Sequence, residues 1–216
     1  MLDICKLSVS YATKQVLDKF RLSVAPGTLC VITGANGSGK STLLSAISGV
    51  VPEHIHANVQ GRISLDATDL TTIPLREKYR YLWHAFANPD TQLFFPTCEA
   101  ELAFALENMG IPQTQIRQRV NSAAAFFGLE HELQNSPLSL SGGQKKLLLC
   151  AIAMAISPRL YLLDEPAAGL SASSVELLCK WLSSLKQQGS IVLAAEHNST
   201  ILALADSVID LRHPND

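Results

Sequence analysis

The sequence predicts an α/β protein with a mostly parallel core sheet, an antiparallel β part at the N-terminus and an inserted helical lobe. Three observations predict it. Short apolar runs at Leu29–Ile32, Leu160–Leu163 and Ile191–Ala195 read as buried strands. Helix-patterned segments alternate with them, as a parallel sheet requires. A helical stretch at about residues 88–138 interrupts the alternation and reads as a separable lobe.

Taken in order, Leu2 to Ser10 alternates partly and reads as a strand, with Gln15 to Val24 as its hairpin partner. Pro26-Gly27 is a turn. After the Leu29–Ile32 strand comes a glycine-rich loop, then a helical run from Ser41 to Ser48. Residues 61–86 carry strand-like pieces. Thr97 to Met109 reads as a helix broken by Gly110 and Pro112, and Gln113 to Phe127 as another ending at Gly128. A helix from Gln144 to Ile156 stops before Pro158. Val175 to Gln188 is a helix with Gly189 as its C-cap. Ser207 to Asp210 is expected to be the last strand, with no regulatory domain after it.

The 216 residues suit one domain. Apolar residues make up 47% and charged residues 17%. That balance fits either a well-buried core or some apolar surface that meets a partner. A formal net charge of -2 argues against nucleic acid as partner, since counterion release needs many Lys and Arg. Five scattered cysteines form no CxxC pair, so neither a zinc site nor a disulfide framework is expected. His54 and His56 read as solvent-exposed, not as metal ligands. No signal peptide is read at Met1–Lys6. The longest apolar stretch, Leu147 to Ile156, is too short for a membrane span of roughly 20 residues. Service to a membrane would therefore pass through another subunit, from the cytosol.

Gly34-Ala35-Asn36-Gly37-Ser38-Gly39-Lys40-Ser41 matches GxxxxGK[ST] between a strand and a helix. The glycines let phosphate approach the backbone with no Cβ in the way. Successive N–H groups then form an anion nest at a helix N-terminus. Lys40 supplies charge for the β and γ phosphates, and Ser41 a hydroxyl for Mg2+. The motif implies a P-loop NTPase. Leu160 to Leu163 delivers Asp164 and Glu165 to the carboxyl edge of the sheet, where open α/β folds bind ligands. Asp164 suits the Mg2+ shell, and Glu165 suits a general base for water. Taken alone, such a strand end reads equally as structural, with Asp164 as a helix cap; paired with the phosphate loop, it reads as functional.

Leu140-Ser141-Gly142-Gly143-Gln144 resembles the signature of ABC (ATP-binding cassette) ATPases. The acidic strand follows 20 residues later. Ala168-Gly169-Leu170 resembles the family's D-loop, and Glu196-His197 its switch histidine. Tyr11 stands where the family stacks an aromatic on adenine. The resemblance spans nearly the whole chain, read as a single cassette over residues 1–216. It implies ATP contacts from Tyr11, Gly34, Asn36, Gly37, Ser38, Gly39, Lys40, Ser41 and Thr42. It also implies contacts from Ser141, Gly142, Gly143 and Gln144 across a head-to-tail pair, where the signature of one subunit caps the ATP of the other. His197 would contact the γ-phosphate and, with Glu165 and Lys40, serve catalysis; Ser41 and Asp164 would hold Mg2+. Ser141 before Gly-Gly-Gln also reads as an ordinary helix N-cap.

Asn88-Pro89-Asp90-Thr91-Gln92-Leu93-Phe94 and Cys98–Phe104 resemble the energy-coupling factor branch, which drives vitamin and transition-metal uptake. The resemblance implies an integral membrane subunit, docked at this region on the cytoplasmic face, and a second ATPase, identical or different. Leu93, Phe94 and Phe95 suit either the groove for the membrane subunit's coupling helix or the core of the lobe. Three positions depart from the family. Ala87 replaces the usual Gln before Asn-Pro, Ser171 replaces the usual Asp after Gly-Leu, and Leu147 stands where Arg is common. These imply a weakened or asymmetric ATPase. A soluble ABC ATPase acting on nucleic acid, and a regulatory cassette without turnover, are the competing functions. Salt-dependent nucleic-acid binding and single-turnover hydrolysis separate them.

Overall fold

The computed structural model describes residues 1–211. Its elements are β1 (Leu2–Tyr11), β2 (Lys14–Val24), β3 (Leu29–Thr33), α1 (Lys40–Ser48), α2 (Val50–Glu53), β4 (Asn58–Leu65), β5 (Thr68–Asp69) and β6 (Leu82–Ala85). There follow α3 (Cys98–Asn108), α4 (Gln113–Phe126), α5 (Gly142–Ile156), β7 (Leu160–Asp164), α6 (Ala172–Gln187), β8 (Ile191–Ala195), α7 (Ser199–Leu204) and β9 (Ser207–Asp210). They form the α/β architecture expected. One sheet has the order β2-β1-β4-β5, with antiparallel pairs. The other has the order β6-β7-β8-β3-β9, and its pairs are parallel.

The apolar runs are continuous because both faces of the parallel sheet are covered. Cys30, Ile32, Leu160, Leu162, Ile191 and Leu193 point into one core, shared with the antiparallel sheet and with Leu43, Leu44 and Ile47 of α1. Their neighbours Leu29, Val31, Tyr161, Leu163, Val192 and Ala194 point into a second core. There they meet α5 and α6, and the same core continues into α3 and α4 through Leu102, Leu106, Ile116 and Val120. Trp181 of α6 lies at its centre, 1% exposed, edge-on to both Tyr161 and Phe127.

The partial alternation of β1 has a local cause. Leu2 and Ile4 face the core, and so do Leu7 and Val9. The change of parity is absorbed at Lys6, which takes a left-handed φ of 53° at a register shift in the pairing with β2. Gly61 of β4 lies against this bulge. A Cβ there would come within 2.5 Å of the Lys6 carbonyl oxygen, so only glycine fits.

Some boundaries differ from the expectation. The strand-like region 61–86 resolves into β4, β5, a 3-10 segment at Leu75–Arg80 and the short β6. Helix α6 starts three residues before Val175, because the Ser171 side chain accepts a hydrogen bond from the Ser174 amide and caps it. Helices α2 and α7, of four and six residues, are too short to show a helical period.

Replacing Trp181 with Ala removes two edge-to-face aromatic contacts from a closed core. The expected cost is about 3–5 kcal/mol, read as a lowered midpoint in urea denaturation.

Candidate functional site

Chemistry-bearing residues gather where β3, β7 and β8 end. These strands are consecutive neighbours in the parallel sheet, so their carboxyl ends bring three loops together. β3 leads into the loop Gly34–Gly39 and then α1. β7 ends on Asp164 and hands over to Glu165. β8 ends at Ala195 and is followed by Glu196 and His197.

The glycine-rich loop wraps over the start of α1. Gly34 has a φ of 140°, and a Cβ there would lie 2.5 Å from the Leu211 carbonyl oxygen and 2.7 Å from Ser38 Oγ. Lys40 is 6% exposed, and its ammonium donates to the carbonyls of Gly34 at 2.6 Å and Ala35 at 3.0 Å. It is thus folded onto its own loop, a position from which it can be recruited to an anion. Ala35, Asn36, Gly37 and Ser41 are exposed, while Ser38 and Gly39 are buried. Tyr11, at the end of β1, reaches α1, with its hydroxyl 3.5 Å from Thr42 Oγ1.

Asp164 is 7% exposed, and its Oδ1 has no hydrogen-bond partner. Burial pushes its carboxyl above the usual value, opposed by a hydrogen bond from Ser41. An orphaned carboxylate oxygen beside a hydroxyl is a hard-oxygen donor set of the kind that suits Mg2+. These residues therefore fit the metal. Glu165 is half-buried and takes a left-handed φ of 49°, uncommon for a residue with a side chain. Three hydrogen bonds hold that backbone. Its N–H donates to the Ala195 carbonyl at 2.9 Å, and its carbonyl accepts from the Ala168 amide at 3.2 Å and from Lys146 Nζ at 2.6 Å. His197 is exposed.

The signature lies in a different cleft. Ser141, Gly142, Gly143 and Gln144 line about 610 Å3 together with Asn88, Pro89, Gly169 and Ser171, and no residue of the glycine-rich loop is in that lining. Ser141 caps α5 by a reciprocal pair of bonds. Its hydroxyl accepts from the Gln144 amide at 3.3 Å, and its own amide donates to Gln144 Oε1 at 3.0 Å. The ordinary N-cap reading thus holds, and Ser141 and Gly142 remain exposed. Leu147 is buried in the core below. The alternatives at 93–95 divide. Leu93 is core, whereas Phe94 is 72% exposed and packs with Phe95 and Phe104 along an apolar groove. Glu101, buried, holds that turn by accepting from the amides of Phe94 and Phe95.

The model of the ABC transporter family matches residues 17–168. The chain belongs to this family. The energy-coupling factor transporter ATP-binding protein EcfA1 of Thermotoga maritima is 32% identical over 95% of this chain and 76% of its own length. An ABC transporter ATP-binding protein of Sulfurisphaera tokodaii is 30% identical over 88% of this chain. The cassette spans only 40% of that relative's length, and likewise of several others it matches. Among solved structures, cbiO1 of Clostridium perfringens, described as part of the ABC transporter complex cbiONQ, is 28% identical. It superposes with a TM-score of 0.81 over 98% of this chain and 85% of that one.

Two residues of the cassette's site carried no assigned role in the sequence. Lys146, in the signature helix, reaches the Glu165 carbonyl. Burial pulls its ammonium below the ordinary lysine value, while the carboxylates of Glu165, Glu196 and Asp164 pull the other way. Glu196 is noticeable only as the residue before His197, yet it is 4% exposed and fully hydrogen-bonded. A charged residue closing an apolar strand was the available signal.

Gly34→Ala should strain the loop against Leu211 and Ser38. The expected result is a stability loss of about 1–3 kcal/mol with weakened binding of a fluorescent ATP analogue, measured by denaturation and by titration.

Proposed function

We propose that this cassette binds and hydrolyses MgATP in a head-to-tail pair and drives an energy-coupling factor type importer of a vitamin or metal ion. The observation that carries the reading is the separation of the two half-sites. The phosphate loop and acidic strand open at one sheet edge, and the signature opens into a second cleft that the loop does not line. Each half carries a helix N-terminus, where the dipole favours an anion, an arrangement that a second cassette would complete.

In this reading the loop amides from Gly34 to Gly39 cradle the phosphates, with Asn36 and Ser38 in the same loop. Lys40 leaves the Gly34 and Ala35 carbonyls for the β and γ phosphates. Ser41 and Asp164 would hold Mg2+, which neutralises charge on the phosphates when bound. Glu165 orients and deprotonates the attacking water, and His197, exposed at the neighbouring strand end, reaches the γ-phosphate. Tyr11, above Thr42, stacks on the base. Ser141 to Gln144 of the partner cassette close over the nucleotide.

The groove at Phe94 and Phe104 supports docking of an integral membrane subunit at the cytoplasmic face. Among the described residues no helix is long and apolar enough to cross a membrane, in keeping with a peripheral role. The branch rests on the likeness to EcfA1 and on the Asn88–Phe94 segment. The second ATPase is identical or different; Ala87 and Ser171 weaken this chain's own site, and a different partner would make the two sites unequal.

Glu165→Gln should bind MgATP without turnover and convert monomer to a stable dimer in light scattering; continued hydrolysis by this variant would remove the base from Glu165. Tagged protein solubilised from its native membranes in mild detergent should carry an integral membrane subunit. Recovery of the intact assembly with soluble proteins alone would overturn the transport reading and leave the cassette standing.

A further inference from the structure

Glu196 is a buried carboxylate that no part of the proposed catalytic chemistry uses, and its hydrogen bonds span two loops. One oxygen accepts from the Ala167 amide at 2.9 Å. The other accepts from the amides of His197 at 2.7 Å and Asn198 at 3.0 Å. Ala167 lies two residues after Glu165, at the start of the Ala168-Gly169-Leu170 loop. His197 and Asn198 begin the segment after β8. The backbone of Glu196 is fixed separately, by donation of its N–H to the Ile32 carbonyl of β3 at 3.2 Å. One side chain therefore joins the loops that follow β7 and β8, and its main chain ties both to the strand that feeds the phosphate loop.

We propose that Glu196 is a positioning residue that holds Glu165 and His197 in fixed register across the site. The proposal rests on the roles given above to those two residues. Glu165 sits in a left-handed conformation that reverts unless its surroundings enforce it. Its N–H and carbonyl are held by Ala195 and by Ala168 and Lys146, and the Glu196–Ala167 bond anchors the turn on the far side. The His197 backbone is held by the same carboxylate. A displacement of the loop after β7 therefore moves the histidine with the glutamate. A neutral side chain cannot do both jobs. A carboxamide has one acceptor oxygen and one donor nitrogen, so it can serve one loop while its NH2 faces an N–H of the other. Charge-assisted acceptance from three amides is also stronger than the neutral version.

The test uses Glu196→Ala and Glu196→Gln in the assembly purified from native membranes, beside Glu165→Gln and His197→Ala. For the alanine variant kcat should fall about tenfold or more, with KM for ATP changed less than about twofold. The glutamine variant, which keeps one side of the bridge, should fall between it and the wild type. Amide hydrogen exchange on the purified chain should speed up at Ala167, His197 and Asn198 and stay slow in β3 and β7. Unchanged kcat in the alanine variant, or unchanged exchange at those three amides, overturns the proposal. If the alanine variant fails to fold, the glutamine variant decides, and full kcat there overturns it. Retained turnover in both Glu165→Gln and His197→Ala would instead sink the assigned chemistry, and the exchange data then judge the clamp alone.

Discussion

Strands β3, β7 and β8 bury both faces, so polar side chains can leave them only at their ends. That constraint sets the position of almost everything else. Alternate residues of each strand supply two cores, one shared with the antiparallel sheet and α1, the other with α5, α6 and the two helices between β6 and α5. With both faces covered, the Gly34 loop, Asp164 and His197 emerge at one edge because their strands run parallel and adjacent. Reversing one of these strands would send its functional residues to the opposite edge of the sheet, roughly 15 Å away for five residues.

Most of this was legible in the sequence because buried parallel strands and a phosphate loop are both written in consecutive residues. The loop reads from eight adjacent positions, and each buried strand from four or five apolar ones. Sites assembled from distant positions were harder to read. Glu196 and Ala167 are far apart in the chain, and nothing local to either announces their hydrogen bond. Lys146 looks like its neighbour Lys145, yet the two diverge. Lys145 pairs with Asp90 at the surface at 2.7 Å, while Lys146 turns inward to the Glu165 carbonyl. Helix direction separates them, since adjacent residues on a helix point about 100° apart. The bulge at Lys6 was visible only as broken alternation.

The three departures from the family pattern meet different surroundings. Leu147 is buried, and an apolar side chain there extends the core below the signature helix. Ser171 caps α6 and also contacts Ser173 and Ser174 through its hydroxyl, so the position retains a structural task. Ala87 follows β6 without a polar side chain. Gln92, five residues later, fastens this turn instead, accepting from the Phe86 amide and donating to the His84 carbonyl, both at 2.7 Å. Two hydrogen bonds thus close the turn without a Gln at 87.

Helix α5 carries the signature at its first turn, and its side helps to line the apolar groove. Ile152 lines that groove beside Phe94 and Phe104, while Asp90, which lines the signature cleft, is ion-paired to Lys145. From Ile152 to Ser141 the helix runs roughly 16 Å, packed in the closed core from Leu147 onward, while its first turn stands clear of it. A load pressed into the groove thus bears on a stiff rod whose other end holds the capping hydroxyl. Such a rod transmits displacement with little loss, because a close-packed core resists compression. In mechanical terms, under the transport function proposed above, the segment would serve as a push-rod whose stroke is set at the groove.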